Sequence, residues 1–386
     1  MSRPAIWPSC PAVRRGNYNQ KDLKHLLNGQ KRMNEPRPHR AAVVSAEGAP
    51  LAFRRLRLRP PRADEVRVRL AACGICHTDL SCCAGAAAGS ILGHEGAGIV
   101  EQIGSAVRSV QPGDAVVLSY QSCGRCPACL RQNPAHCEHF WRLNFAFQRL
   151  DGSSGYPAPL HGHFFGQSSF ASHSLANERN LVKVPKELPL PVLAPLGCGL
   201  QTGAGTVINT LDVQAGQSLL IVGVGTVGMA ALMAARIRRA APIIALDIHP
   251  QRLRLASELG ATAALHGEDP RLERQLRRLA PQLDHAVETS GDARLDRLAR
   301  ALLRPGGGMA RLAGGPAMKL SHDRRVLSVI QGDAVPQRFI PWMIARWQDG
   351  QFPFDRLIRF YPFQDINRAL AEAQAGLAIK AVLRWD

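Results

Sequence analysis

The sequence predicts a mixed α/β protein with a β-rich domain followed by a doubly wound parallel sheet. Two observations support this prediction. Residues 39–199 contain short strand-like runs separated by Gly, Pro and Asp, such as DEVRVRLAA, GAGIVEQIG and DAVVLSY. From about residue 200, strand and helix patterns alternate, as where SLLIVGV leads into GTVGMAALMAARIRRA. This alternation is typical of a parallel sheet covered by helices on both faces.

The changes in pattern divide the chain into four segments. We expect residues 1–38 to be disordered, because they show no strand or helix periodicity and are rich in Pro, Asn and Gln. Residues 39–199 form the β-rich domain and residues 200–334 the parallel-sheet domain. In the latter, PIIALDI, PQRLRLASELG and HAVETSG continue the alternation, and ARLDRLARALLRPGGGMA leads into RLAGG. Residues 335–386 end in the strand-like IKAVLRW and return to the first domain.

The composition indicates a soluble enzyme rather than a nucleic-acid or membrane protein. The net charge is +18, but nine Lys or Arg against Asp22 and Glu35 lie in residues 1–40 alone. The remaining arginines are interspersed with acids, which favours a solvated basic surface over a dedicated polyanion site. No apolar stretch is long enough to span a bilayer, and the first 20 residues lack a signal-peptide pattern. A cytoplasmic location is therefore expected.

A glycine loop predicts a dinucleotide site in the second domain. The motif G-x-G-x-x-G at Gly223, Gly225 and Gly228 follows a strand and opens a helix, whose N-terminal amides can bind a pyrophosphate. Asp247 ends the next strand about 20 residues later, where its carboxylate can bind both ribose hydroxyls. An acid at this position would repel a 2′-phosphate, so NAD is preferred over NADP, although Arg252 lies close in sequence.

Four cysteines with short spacing predict a structural zinc site. The stretch CGRCPACLRQNPAHC has the spacing C-x2-C-x2-C-x7-C, with ligands Cys123, Cys126, Cys129 and Cys137. Four thiolates can surround one tetrahedral ion and leave no open position. Two local disulfides are the alternative, but they require an oxidising compartment and strained short loops.

The stretch CGICHTDLSCCAGAAAGSILGHEG (residues 73–96) contains more potential ligands than one ion can use. Catalytic zinc requires three protein ligands and one open position, and a Cys2His set meets this requirement. Cys76 and His94 are available here, and Cys198 in PLGCGLQTGAG can provide the third ligand beside the second domain. Cys73, Cys82 and Cys83 are then interpreted as ordinary core or loop thiols.

Together these motifs resemble those of the zinc-dependent medium-chain alcohol dehydrogenases. GICHTDL, GHEGAGIVEQIG, the four-cysteine lobe, GCGLQTGAG and GVGTVG occur in the order seen in that family, and the resemblance covers residues 39–386. HGHFFGQSSFA, LGCGLQTGAG and VPQRFIP further resemble the aryl-alcohol (benzyl alcohol) branch. The resemblance implies a GroES-like catalytic domain and a Rossmann nucleotide-binding domain, with two zinc ions per subunit, one catalytic and one structural.

The resemblance also implies a role for individual residues around the catalytic ion. Asp79 orients His94, Glu95 approaches the ion transiently, and Thr78 takes the proton of the alcohol. The implied ligands of the catalytic zinc are Cys76, His94 and Cys198.

The remaining implied roles concern the cofactor and the substrate. Thr202 and Val227 flank the nicotinamide, and His77 and Lys380 lie near the pyrophosphate. The substrate pocket contains two neighbouring aromatic residues, Phe164 and Phe165.

The implied reaction is hydride transfer from a primary aryl or allylic alcohol to NAD, with zinc as the Lewis acid. Two departures from the family pattern concern the proton path and the pocket: Ser81 stands where a histidine often ends the proton relay, and the loop SCCAGAAAGSI is short and lacks bulky residues. A formaldehyde-type S-(hydroxymethyl)glutathione dehydrogenase and, less favoured, a zinc-bearing nucleic-acid-binding protein are the alternatives. We expect a homodimer or homotetramer without a specific nucleic-acid or membrane partner.

Overall fold

The fold is described from a computed structural model that covers residues 39–46, 49–313, 318–320 and 322–385. The expected disorder of residues 1–38 falls outside these residues. The strands are β1 Arg40–Val43, β2 Ala52–Arg55, β3 Glu65–Gly74, β4 Glu95–Ile103, β5 Ala115–Leu118, β6 His173–Asn177, β7 Leu181–Val184, β8 Leu219–Val222, β9 Ile243–Asp247, β10 Ala263–His266, β11 Leu283–Glu288, β12 Leu303–Arg311, β13 Met318–Lys319, β14 Arg325–Ser328, β15 Ile358–Pro362 and β16 Lys380–Arg384.

Among the described residues, the helices are shorter and fewer before residue 199 than after it. They are α1 His77–Cys83, α2 Pro127–Leu130, α3 Phe140–Phe145, α4 Leu190–Leu193, α5 Gly199–Gly205, α6 Thr226–Ile237, α7 Pro250–Glu258, α8 Leu272–Leu279, α9 Ala293–Leu302, α10 Pro336–Gln348 and α11 Ile366–Gln374. Single 3-10 or π turns occupy Pro134–His136, Phe164–Gly166, Glu178–Asn180, Ala194–Gly197, Thr206–Thr210, Gln331–Asp333, Phe354–Leu357 and Phe363–Asp365.

The first large sheet combines strands from both ends of the chain. Its order is β15-β16-β3-β4-β5-β7, with β6 also paired to β3. All pairs are antiparallel except β15 with β16. The C-terminal strand pairs with β3 at Val382 and Gly74, so the last strands of the chain lie beside the segment that carries Cys76.

The second large sheet has the order β10-β9-β8-β11-β12-β14-β13. Its first six strands are parallel, and β13 is antiparallel to β14. Numbered along the chain, the six parallel strands have the order 3-2-1-4-5-6 of a dinucleotide-binding sheet. Every residue of β8 is buried, as expected for a central strand covered on both faces. The glycine loop after β8 lies where the strand order reverses, which is where this sheet type binds its ligand.

The alternation predicted around residue 303 differs from the structure in its boundary. The helix α9 ends at Leu302, and the strand β12 begins at once, ahead of the RLAGG stretch. Pro305 cannot continue a helix, and the three glycines that follow also disfavour one. The pairing of β12 with β11 is irregular at the start and becomes regular from Gly308. The proline and glycines thus mark the irregular start of a strand.

A continuous apolar core joins the two sheets through the helices α4, α5 and α6. The helices α5 and α6 are in backbone contact, because a Cβ on Gly203 would lie 2.0 Å from the carbonyl oxygen of Val227. This close approach fixes Cys198, which caps α5, relative to the glycine loop, which opens α6. Across the described ranges of the chain, no helix has both the length and the apolar character needed to cross a membrane.

Candidate active site

Asp79 connects the two segments that carry the first predicted zinc ligands. It occupies the third position of α1, where its Oδ2 accepts a hydrogen bond from the backbone N–H of Cys76 at 2.9 Å. Its Oδ1 accepts from the backbone N–H of Gly93 at 3.0 Å and lies 2.9 Å from His94 Nδ1. Asp79 is fully buried. A carboxylate in this position fixes the orientation of the His94 ring and leaves Nε2 as the outward nitrogen.

The outward nitrogen of His94 has no hydrogen-bond partner within the described part of the chain, although the ring is fully buried. Burial alone lowers the pKa of His94, but the Asp79 carboxylate and the Cys76 sulfur outweigh this effect and raise the pKa well above its usual value. A buried nitrogen without a partner costs free energy, and a metal ion is one group that can satisfy it. The orphaned Nε2 is therefore an observation that favours a metal.

The second cysteine ligand reaches the same point from the other domain. The ligand atoms of Cys76, His94, Glu95 and Cys198 all lie within 4.8 Å of one another. A hydrogen bond between the two sulfurs lowers the pKa of Cys76 well below its usual value and raises the pKa of Cys198 well above it. Two sulfurs and one imidazole nitrogen are a donor set that suits zinc and leaves a fourth position open.

Glu95 is held beside this donor set by a buried lysine. Both of its carboxylate oxygens bind Lys380 Nζ, at 3.0 and 2.9 Å, and Lys380 also donates to the carbonyl oxygen of Ile75 at 2.9 Å. Burial alone lowers the pKa of Lys380, but the Glu95 carboxylate outweighs it and raises the pKa. The Lys380 ammonium is therefore already bound to Glu95, and its predicted position near a pyrophosphate stays a prediction.

The glycine loop has the backbone geometry that the motif predicts. Gly223 has a φ of 85°, which favours glycine, and Gly225 caps the N-terminus of α6. A Cβ on Gly228 would lie 1.9 Å from the carbonyl oxygen of Gly223, so only glycine allows this approach of helix and strand. Thr226 donates a hydrogen bond to the carbonyl oxygen of Ile379 at 2.6 Å, which joins the loop to the strand that carries Lys380.

Asp247 ends β9 beside this loop. Its Oδ2 accepts from the backbone N–H of Val224 at 2.9 Å, and its Oδ1 accepts from the backbone N–H of His249 at 2.9 Å. Arg252 lies 3.7 Å from Oδ2. The carboxylate thus shapes the loop itself, and its predicted contact with ribose hydroxyls stays a prediction.

The other residues predicted to contact the cofactor or the alcohol lie on α1, α5 and α6. Thr202 and Val227 are half-buried on the contacting helices α5 and α6, and Thr202 Oγ1 donates to the carbonyl oxygen of Cys198 at 2.9 Å. Thr78 is half-buried, with Oγ1 3.7 Å from the Cys76 sulfur, and His77 is exposed at the start of α1. The hydroxyl that the sequence predicts as the proton acceptor, Thr78, thus contacts the predicted zinc ligand Cys76.

The four-cysteine lobe forms a second compact cluster. The sulfurs of Cys123 and Cys129 are 3.9 Å apart, and those of Cys126 and Cys137 are 4.0 Å apart, which is far longer than a disulfide bond. Backbone N–H groups donate to two of the sulfurs at 3.3 Å. All four ligand atoms lie within 4.8 Å of one another. The geometry fits a closed four-thiolate metal site.

Two aromatic rings pack against the ring of His94. Phe165 stacks on the His94 ring with centroids 4.3 Å apart, and Phe164 meets it edge-on at 5.6 Å. Both phenylalanines are buried, whereas Phe145 and Phe147, which contact them, are half-buried. The ligand cluster thus faces an apolar, aromatic environment.

Comparison with known proteins identifies the family. Residues 62–186 match the family model of the alcohol dehydrogenase GroES-like domain, and residues 226–335 match that of the zinc-binding dehydrogenases. A geraniol dehydrogenase of Castellaniella defragrans is 44% identical over 361 residues, covering 89% of this chain and 96% of the relative. The chain belongs to the zinc-dependent medium-chain alcohol dehydrogenases. This confirms the family and the GroES-like plus Rossmann fold that the sequence predicts.

Two solved structures of alcohol dehydrogenases agree with this assignment. An alcohol dehydrogenase zinc-binding domain protein from Burkholderia ambifaria superposes with a TM-score of 0.87 at 43% identity, covering 91% of this chain and 99% of that chain. A benzyl alcohol dehydrogenase from Acinetobacter calcoaceticus gives a TM-score of 0.86 at 37% identity, with coverages of 91% and 100%. The fold of this dehydrogenase is therefore shared over nearly the whole length of both relatives.

Some residues of this dehydrogenase site are not marked by any sequence pattern. Phe145 and Phe147 lie in α3 and just after it, and only their spatial contact with Phe164 connects them to the site. Gln331 donates a hydrogen bond to the Cys198 sulfur at 3.6 Å from 133 residues away in the chain. Three cysteines of residues 73–96 lie outside both clusters: Cys73, Cys82 and Cys83.

Proposed function

We propose that this protein is an NAD-dependent zinc alcohol dehydrogenase that oxidises primary aryl or allylic alcohols to aldehydes. The observation that carries the proposal is the orphaned Nε2 of His94, which faces the Cys76 and Cys198 sulfurs under the ring of Phe165. A three-ligand metal site beside an aromatic surface can hold an alcohol with its oxygen toward the ion and its carbon chain against the rings.

Each part of the site has a task in this reaction. Cys76, His94 and Cys198 would hold zinc, which when bound supplies the Lewis acidity that lowers the pKa of an alcohol. Thr78 Oγ1 would accept the proton of the alcohol and at the same time release its own hydroxyl proton toward solvent, which the half-buried position of Thr78 allows. NAD, when bound at the glycine loop, would supply the nicotinamide that accepts the hydride, and the aromatic rings would exclude water from the reacting atoms.

The choice of NAD is supported by Asp247 at the end of β9. Its buried carboxylate would repel a 2′-phosphate and can accept hydrogen bonds from ribose hydroxyls. Arg252 interacts with this same carboxylate at 3.7 Å, so its charge is partly engaged. Two zinc ions per subunit are proposed, one in the open cluster and one in the four-cysteine lobe.

The substrate class is supported by the rings and by the relatives. Phe164, Phe165, Phe145 and Phe147 form one connected aromatic cluster, which favours flat or unsaturated carbon skeletons over short aliphatic ones. Two relatives are a geraniol dehydrogenase and a benzyl alcohol dehydrogenase, whose named substrates are an allylic and an aryl alcohol.

The proposal is tested by following NADH formation from benzyl alcohol, geraniol and ethanol. We expect kcat/KM to be highest for the first two alcohols, to fall with a zinc chelator and to be restored by added zinc. NADP in place of NAD is expected to give a lower kcat/KM. Zinc-loaded, folded protein without turnover of benzyl alcohol or geraniol would contradict the proposed substrate class.

We further propose a homodimer or homotetramer located in the cytoplasm. Leu130 and Trp141 on the four-cysteine lobe are 69% and 65% exposed, and such large apolar side chains favour a subunit contact. The thiolate clusters require a reducing compartment to keep their sulfurs available for metal. Light scattering coupled to gel filtration measures the number of subunits, and a monomer would contradict the proposed homodimer or homotetramer.

A further inference from the structure

The turn Gln331–Asp333 has an unusual backbone conformation. All three residues have positive φ values of 53°, 65° and 50°, although only the middle one is glycine. L-residues avoid this region, and when they occupy it the surrounding structure must hold them there. Such residues concentrate at functional sites, and this turn therefore suggests a functional role.

The turn is held at its glycine and at its aspartate. Asp333 accepts a hydrogen bond from Thr210 Oγ1 at 2.6 Å and lies 2.7 Å from His136 Nε2, next to the structural cysteine Cys137. Asn209 Nδ2 donates to the carbonyl oxygen of Gly332 at 3.0 Å. A Cβ on Gly332 would lie 2.6 Å from the carbonyl oxygen of Gln201, so the turn also packs directly against α5.

These contacts direct the side chain of Gln331 toward a zinc ligand. The amide oxygen of Gln331 accepts a hydrogen bond from Gln201 Nε2 at 2.8 Å, and Gln201 Nε2 also contacts Ser119 Oγ at 2.8 Å. Because the oxygen is occupied in this way, the amide nitrogen of Gln331 faces the Cys198 sulfur at 3.6 Å. Gln331 is buried, so water does not compete for either contact.

We propose that Gln331 is a positioning residue that donates a hydrogen bond to the Cys198 thiolate and thereby sets its strength as a metal ligand. The inference rests on the proposed zinc site and extends it. A hydrogen bond to a thiolate withdraws charge from the sulfur and fixes its direction, and outer partners of this kind tune metal sites. His136, beside the structural cysteines, and Thr210 hold Asp333, so the four-cysteine lobe helps to hold the turn that presents Gln331 to the open cluster.

The test replaces Gln331 with groups of similar size that cannot donate. Gln331→Met removes the donor, and Gln331→Glu replaces it with a carboxylate that repels the thiolate at neutral pH. Gln337→Met is the matched control, because it makes the same substitution at a glutamine that donates to the carbonyl oxygens of Arg179 and Leu181 rather than to a sulfur. Each variant is loaded with Co²⁺, whose sulfur-to-metal charge-transfer band reports on the thiolates, and its Zn²⁺ affinity is measured by competition with a chelator.

We expect the charge-transfer band of Gln331→Met to shift to lower energy, because a thiolate without a hydrogen bond gives up its charge more easily. Its Zn²⁺ affinity at the open site is expected to fall about 10- to 100-fold, with a larger loss for Gln331→Glu. Gln337→Met is expected to keep both properties of the unmodified protein.

Two different failures are distinguishable with one further variant, Cys198→Ser. If the unmodified protein binds Co²⁺ and Cys198→Ser alters its spectrum, the open site exists; an unchanged band and affinity in Gln331→Met would then overturn the role of Gln331. If Cys198→Ser leaves the spectrum unchanged, Co²⁺ occupies only the four-cysteine lobe, and the proposed zinc site is itself wrong.

Discussion

Replacing Asp79 with asparagine tests whether this carboxylate orients the predicted zinc ligand His94. The carboxylate accepts hydrogen bonds from the backbone N–H groups of Cys76 and Gly93 and orients His94. An amide keeps the shape, but one of its ends donates instead of accepting and so opposes one of these donors. Loss of a carboxylate behind a histidine ligand costs about 10- to 100-fold in metal affinity. This corresponds to about 1.4–2.7 kcal/mol.

The assay for Asp79→Asn is competition for Zn²⁺ with a chromophoric chelator, in which the open and four-thiolate sites are resolved as two classes. Asp114→Asn is the matched control, because Asp114 is also buried and accepts from the backbone N–H of Gln111 and from Lys183. We expect the control to lose folding stability without losing Zn²⁺ affinity at the open site. If Asp79→Asn binds Zn²⁺ as tightly as the control, the orienting role assigned to Asp79 is incorrect.

Three further predictions address charge, cofactor and pH. Lys380→Met leaves the Glu95 carboxylate buried without its partner and is expected to lower the free energy of unfolding in urea by about 3–5 kcal/mol. The double variant with Glu95→Gln should recover most of this loss. Equal losses in the single and double variants would contradict the stabilising role of the Lys380–Glu95 ion pair. Asp247→Asn is expected to lower the ratio of kcat/KM for NAD over NADP roughly 10-fold or more, since a hydrogen bond to a charged group is worth about 1.5–3 kcal/mol; an unchanged ratio would remove Asp247 from cofactor selection. Burial lowers the pKa of His163 to about 3. Because the pKa of an unfolded histidine is about 6.5, the unfolded chain binds this proton at a higher pH than the folded protein does. Stability therefore falls as the pH drops across this range, by up to ~1.4 kcal/mol per pH unit, and His163→Gln should show a shallower fall in unfolding experiments.

Local patterns in the sequence predict those parts of the molecule whose members are close in the chain. Cys123, Cys126, Cys129 and Cys137 lie within fifteen residues, so one short segment can bring all four sulfurs together. The glycine loop and Asp247 are similarly linked by one strand–helix–strand unit. The strands DEVRVRLAA and GAGIVEQIG correspond to β3 and β4 because their burial pattern is set by the same sheet.

Contacts between segments that are distant in the chain cannot be predicted from the sequence patterns. No spacing rule connects Gln331 with Cys198, or Lys380 with Glu95, because those meetings depend on how β16 and the turn after β14 pack on the first domain. Cys198 itself became a ligand candidate mainly through the family resemblance. The run ARLDRLARALLRPGGGMA does not show where helix changes to strand, whereas in the structure Leu303 already pairs with Leu283 of β11 and regular pairing resumes from Gly308.

The chain order of the first sheet has a consequence for how the protein is made. β3, β4 and the ligands Cys76 and His94 leave the ribosome early, but the neighbouring strand β16 is synthesised after the entire nucleotide domain. Until then the C-terminal end of β3, at Ala72 to Gly74, lacks its partner strand, and Glu95 has no ammonium beside it. A nascent or truncated chain that stops before residue 380 therefore carries an open sheet edge and an uncompensated carboxylate next to its metal ligands. Such a chain is expected to remain a substrate for chaperones and proteases until β16 is in place.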